Sequence, residues 1–205
     1  MWLQLAMTAT PRSLEGRRIW SGYALDLTEK RQLELELQVA ATHDPLTALL
    51  NRRELLARLA HELARTQRYG RTLSIVVLDI DHFKAINDQH GHLAGDRVLV
   101  RVADVLRRSV REPDQTGRYG GEEFLLVLPE TSLSEAIALA ERVRERLQDV
   151  DIAGPEPSNR LSASFGITNV VPGDSNALER ALARADQAMY EAKKAGRNCV
   201  RCIAV

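Results

Sequence analysis

Cysteine is nearly missing from this 205-residue chain, with Cys199 and Cys202 as the whole supply. They form a Cys-x-x-Cys in an apparent terminal strand, where alternation sends the two side chains to opposite faces. Redox pairs sit at helix starts and zinc needs four ligands, and no second Cys or His pair stands in register, so both read as small apolar fillers. A charge excess is also missing: 28 Lys and Arg balance 28 Asp and Glu. No overall field draws the chain to nucleic acid or an anionic membrane, and any binding of anions must be local. There is no apolar run of 18 residues, and the amino terminus lacks a charged region followed by a hydrophobic core. The expectation is a soluble, intracellular (cytoplasmic) chain with no membrane segment and no nucleic-acid partner. Internal repeats and low-complexity tracts are absent too. What the chain does have is 44% hydrophobic residues, enough for one good core and a small appendage.

Residues 1–28 read as a hairpin of two β segments, 2–10 and 18–27, around a Pro/Ser/Gly connection. A lone hairpin is marginal in water. The stretch Tyr23-Ala24-Leu25-Asp26-Leu27-Thr28-Glu29-Lys30 resembles the end of a PAS sensor domain, which is commonly followed by a signalling helix. Residues 29–43 fit that description as a linker helix, with Leu33, Leu37 and Ala40 on one stripe and Leu35 and Val39 on a neighbouring one. Such a seam suits a short two-stranded coiled coil, or a helix lying on its own domain. Asp44-Pro45-Leu46-Thr47 breaks the helix and marks a domain boundary, leaving residues 44–205 as the main domain.

Asn51 and Glu54 have capping-box spacing for a helix to about residue 69, ended by Gly70. Residues 72–80 form a near-continuous β-branched run, a strand buried on both faces, that ends in Asp79-Ile80-Asp81. Alternation puts Asp79 and Asp81 on one face, where a divalent cation would satisfy them, magnesium being natural if phosphates supply further oxygens. A cap or salt bridge would also satisfy either acid, Asp81 before Asp79. A short helix carrying Lys84, Asn87 and Asp88 follows. His82, His90 and His92 fit no structural zinc spacing. Asn87 and Asp96 pair an amide with a carboxylate, a set that can read a guanine edge, although both also cap helices well.

A helix over 94–110 leads to the segment Arg118-Tyr119-Gly120-Gly121-Glu122-Glu123-Phe124, a hairpin turn between 115–119 and the strand-forming run 122–128. Backbone without side chains followed by two carboxylates can approach an anionic ligand and its metal, or be an ordinary exposed turn with solvated acids. Ser132 and Glu135 cap a helix to about residue 149. A loop at 154–159, a strand over 161–171, a turn at 172–174, a helix over 176–195 and a strand over 198–205 complete the chain. Lys193 and Arg197, four apart at the end of that helix, suit phosphates or simply complement the helix dipole. The alternation implies an α/β (α+β) domain, a mixed sheet covered mainly on one face by helices.

Together the segments 44–52, 78–88, Gly91 to Asp96, Arg118 to Phe124, Ser164-Phe165-Gly166 and Ala185-Asp186 through Gly196-Arg197-Asn198 resemble the diguanylate cyclase family, named GGDEF after its signature. The resemblance implies a palm-like mixed sheet with flanking helices, as in nucleotide cyclases and polymerases. It implies condensation of two GTP into cyclic di-GMP by a homodimer, each domain binding one GTP. Carried over by position, Asp79, the carbonyl of Ile80 and Glu122 would hold magnesium or manganese, with Glu123 assisting. Glu122 is the implied base and Lys84 a stabiliser of phosphate charge. Asn87 and Asp96 would read guanine, His92 would lie beside the nucleotide, and Lys193 and Arg197 would hold the triphosphate. Arg111 and Asp114 resemble the inhibitory product site, with Arg142 as a further contact. Glu122-Glu123 stands where the family name has Asp-Glu. Two other classes remain open: a silent cyclic di-GMP receptor using Arg111 and Asp114, and a dimerisation and relay module.

Overall fold

The computed structural model describes residues 2–14, 17–150, 152, 160–170 and 176–205, with the side chains of 7–22 outside that description. The chain divides into two compact units, residues 1–41 and 42–205. In the first, β1 (Leu3–Leu14) and β2 (Arg17–Asp26) pair antiparallel, and α1 (Thr28–Thr42) follows. Asp26 opens α1 by accepting the Thr28 amide at 2.9 Å. Gln32 to Glu36 and Arg31 to Glu34 bridge successive turns. No residue of α1 is buried, and Leu33, Leu35, Leu37 and Val39 all stand exposed.

The second unit holds α2 (Arg52–Tyr69), β3 (Leu73–Ile80), α3 (Phe83–His90), α4 (His92–Ser109), β4 (Gln115–Arg118), β5 (Glu123–Pro129), α5 (Leu133–Gln148), β6 (Ala163–Asn169), α6 (Ala177–Lys194) and β7 (Val200–Ile203). Five strands form one sheet in the order β4-β5-β3-β6-β7, antiparallel except for the parallel pair β6 and β7. All eight residues of β3 are buried, as its unbroken apolar run requires.

Helices cover both faces, which corrects the expected one-sided layer. Leu78, Ile80, Phe124 and Leu126 face α3, α4 and α5. Ile75, Val77, Leu125 and Val127 face α2 and α6. A strand apolar at every position has to be covered twice, and Ala181, Ala185 and Ala188 keep α6 slim enough to lie close. The packing also sets the register that matters here. Leu78 lies opposite Phe124 and Asp79 opposite Glu123, and a one-residue slip would drive both acids into the other core.

Caps agree with the sequence reading in part. Ser132 and Glu135 make both bonds of a capping box at α5. At α2, Asn51 accepts the Glu54 amide at 3.0 Å, but the Glu54 carboxylate bonds Arg58 at 2.8 Å instead of reaching back. Helix α4 starts at His92, two residues earlier than expected, and the last strand shrinks to four residues. Cys202 is exposed there, so it is no core filler. The expected loop at 154–159 and turn at 172–174 lie outside the described residues.

Candidate active site

Paired residues of antiparallel strands point to the same face, so Asp79 on β3 and Glu123 on β5 look out together at the α2/α6 side. Helix α6 crosses that end of the sheet and supplies Lys193, whose ammonium lies 2.8 Å from the Asp79 carboxylate. Asp186 lies seven residues earlier, two helical turns along the same face. Only 7% of Asp79 is exposed, and burial pushes its carboxyl above the usual carboxylate range while Lys193 and Arg197 oppose the shift. Glu123 is raised by burial first, then by the charges of Asp79 and Asp186. Asp186 is raised by partial desolvation against the pull of Arg52. Negative charge is crowded here and incompletely neutralised, a condition typical of functional clefts.

The turn into β5 is built to bring Glu123 in. Tyr119 and Gly120 donate to the Glu123 carbonyl at 2.8 and 3.2 Å. A Cβ on Gly120 would meet the Glu123 carboxylate, so any larger residue here would make that carboxylate move. Arg118 grips the Gly121 carbonyl at 2.7 Å through Nη2 and the Asp44 carboxylate at 3.3 Å through Nη1. Asp44 is itself fixed by the amide and hydroxyl of Thr47, so the Asp44 to Thr47 turn and the glycine turn are tied together. The Arg52 guanidinium stacks on the Tyr119 ring at 4.6 Å. Glu122 lies just outside β5, half-buried, with its carbonyl accepting from the Ile80 amide at 3.3 Å. Its charge adds to the rise at Glu123. Among the described residues no three His, Cys, Asp or Glu side chains cluster closely enough to hold a metal.

One sequence alternative is resolved and one expectation needs correction. Asp81, to which the sequence assigns a non-metal role before Asp79, has its carboxylate among neutral donors, because β3 ends at Ile80. It accepts from Ser164 at 2.7 Å, Ser162 at 2.8 Å and the Asn198 amide at 3.0 Å. Arg197 is not on the helical face of Lys193, since α6 stops at Lys194 and Arg197 has φ +66°.

On the other helical layer, Asn87 of α3 lies against Gly95 of α4, where any Cβ would overlap the Asn87 side-chain oxygen. That oxygen is buried and has no hydrogen-bond partner among the described residues. Asp96 is the next residue and is exposed, as are His92 at the start of α4 and Lys84 at the start of α3. A buried acceptor without a donor, beside a free carboxylate, is a ready half-site for a group offering adjacent N–H donors.

Arg111, Asp114 and Arg142 come together as well. They line a cavity of about 250 Å³ with Thr131, Glu135 and Leu139. Asp114 is buried and accepts the Arg111 amide at 2.9 Å and Arg111 Nη2 at 3.3 Å. Arg111 Nη2 also donates to Thr131 at 2.8 Å, yet the arginine side chain stays 61% exposed.

Residues 41–199 match the family described as "Diguanylate cyclase, GGDEF domain". This chain is a GGDEF-family protein. It is 46% identical over 166 residues to the diguanylate cyclase DgcP of Pseudomonas aeruginosa, covering 81% of this chain and 24% of that protein's length. The coiled coil and GGDEF domain of DgcB from Caulobacter crescentus, solved with c-di-GMP, superposes with a TM-score of 0.78 at 32% identity, covering 87% of this chain and 93% of that one. An active GGEEF domain of a Vibrio cholerae diguanylate cyclase superposes with a TM-score of 0.69 at 38% identity, covering 76% of this chain and 97% of that one.

The GGDEF cleft contains residues that motif reading left without a role. Asp186 lay in a matched segment, and its seven-residue spacing from Lys193 was the available signal. Arg52 was likewise inside the segment 44–52, but nothing local told that it would stack on Tyr119. Among the described residues, no helix is long and apolar enough to cross a membrane.

Proposed function

We propose that this GGDEF domain is a diguanylate cyclase, condensing two GTP into cyclic di-GMP with release of two pyrophosphates. The observation that carries the reading is the facing pair of Asp79, buried and tied to α6 through Lys193, and Glu123, half-buried and raised by the charge of Asp79. The orphaned Asn87 oxygen beside Asp96 supports guanine as the base, since guanine offers adjacent N1–H and N2–H donors.

In each condensation step the 3′-oxygen bonds to the α-phosphorus of the opposing GTP, the bond from that phosphorus to the β-phosphate bridge breaks, and pyrophosphate leaves. Glu122 accepts the 3′-hydroxyl proton in this reading. Lys84, Lys193 and Arg197 offset the phosphate charge, and His92 lies beside the nucleotide. The donors are hard oxygens, so the fit is to magnesium or manganese, held by Asp79, the Ile80 carbonyl and Glu122 with Glu123 assisting, which would supply Lewis-acid polarisation of the phosphoryl oxygen. With no three-acid cluster among the described residues, phosphate oxygens would complete the shell.

Each chain provides half a reaction centre, so the active form is a homodimer. The exposed Leu33, Leu37 and Ala40 stripe of α1 supports pairing, which raises the effective concentration of one half-site for the other. The hairpin before it is read as the end of a PAS sensor domain, and the protein as a cytoplasmic signalling enzyme. Cyclic di-GMP also acts as inhibitor, in the cavity of Arg111, Asp114 and Arg142. The Glu-Glu signature is compatible with turnover, as the name of the Vibrio cholerae domain indicates for that protein.

Incubating the purified chain with GTP and magnesium is the test. Formation of cyclic di-GMP and pyrophosphate supports the cyclase. Binding of cyclic di-GMP without turnover selects the receptor reading, and neither selects the relay module.

A further inference from the structure

Three successive residues after α6 have left-handed backbone: Gly196 at φ +107°, Arg197 at +66° and Asn198 at +44°. Glycine and asparagine adopt that region readily, whereas arginine does not, so the surroundings must impose it. Asn198 is where they do so. Its amide donates to Asp81 at 3.0 Å, and its side-chain oxygen accepts from Gln148 at 3.1 Å and Arg144 at 3.3 Å, both on α5. Asp81 is in turn immobilised by the two serine hydroxyls of the β6 region. The residue thus clamped directly follows Arg197, whose exposed guanidinium acts on the Asp79 carboxyl. Arg197 donates its own amide back to Ala192 at 3.1 Å, closing the helix end.

We propose that Asn198 is a positioning residue for triphosphate binding: held between Asp81 and the α5 side chains Arg144 and Gln148, it keeps Arg197 in the left-handed conformation that aims its guanidinium at the Asp79 cleft. The inference rests on the cyclase reading, because it takes a GTP triphosphate as the group Arg197 meets. The clamp touches only the phosphate end. Asn87 and Asp96 lie on other elements and share none of its bonds.

The test compares two probes by calorimetry with magnesium present: 3′-deoxy-GTP, which cannot condense, and guanosine, which has no phosphates. Asn198→Ala removes the acceptor and the tolerance for positive φ; it is expected to weaken 3′-deoxy-GTP about tenfold, the loss of roughly one charge-assisted contact, with guanosine affinity unchanged. Asn198→Asp keeps both properties and is expected to restore the affinity. Gln148→Leu leaves the backbone residue in place and gives a smaller loss of the same selectivity, should Asn198→Ala not fold. An unchanged triphosphate affinity in Asn198→Ala, an equal loss for both probes, or an Asn198→Asp variant as weak as the alanine overturns the inference while leaving the cyclase reading intact. A wild-type chain that binds guanosine but not 3′-deoxy-GTP overturns both.

Discussion

The Asp79 cleft and the Arg111 cavity both contain a buried acid next to a basic side chain, yet they differ in how complete they are. Asp114 is supplied by a backbone amide and a guanidinium from one neighbouring residue, and Arg111 is steadied by Thr131. Its charge is settled before any ligand arrives, and the exposed arginine can turn to an incoming anion. Asp79 instead shares Lys193 with a cleft that also contains Glu123 and Asp186, and all three carboxyls are pushed up. That site is short of positive charge. A finished site is suited to sensing, whereas an unfinished one is suited to recruiting the cations that chemistry needs.

The contrast can be broken hardest at the glutamates. Glu122→Gln keeps shape and removes charge, and is expected to lower cyclic di-GMP synthesis at least about 10²-fold with an unchanged circular dichroism spectrum. Wild-type turnover in that variant, with loss in Glu123→Gln, would transfer the essential role to the acid that faces Asp79. Next is Lys193→Met, which strands a carboxylate that is nine-tenths buried. Because the lysine itself is one-third exposed, a loss on the order of 2 kcal/mol at pH 7 is expected from urea unfolding. That loss should shrink as pH falls and Asp79 takes up a proton.

Smaller still is the effect at the complete site. Arg111→Ala is expected to raise the cyclic di-GMP concentration needed for half-inhibition by about tenfold, as for one lost charge-assisted contact, measured in a GTP turnover assay. Unchanged inhibition would remove the cavity from regulation. The smallest effect concerns the unliganded cleft. Carboxyls raised in the folded state favour folding below their unfolded pKa, and that contribution is lost as pH rises through the folded value. Asp186→Asn should therefore raise the melting temperature at pH 7 and leave it unchanged at pH 3, where the acid is protonated in both states. A lower melting temperature at pH 7 would mean that its attraction to Arg52 outweighs its desolvation.

Element identities were readable along the main domain because each carries a local signal. The unbroken apolar run of β3, the Ser132 and Glu135 box and the Gly70 stop all act within a few residues. The layer count was misjudged because no periodicity says which helix covers which face. The partners of Asp81 were left open for a related reason. Alternation holds only while the strand lasts, and its end is decided by Ser162, Ser164 and Asn198, up to 117 positions away.

The order of residues alone determined the family, the sheet-forming segments and three groups of candidate side chains, because motif spacing and hydrophobic period are properties of the chain itself. Only the tertiary structure decided which acids share a cleft, which acid is taken up by hydroxyls, and how Arg197 is held. Those outcomes depend on register and on bonds between distant elements, and a buried charge acquires its character from whatever folding brings beside it.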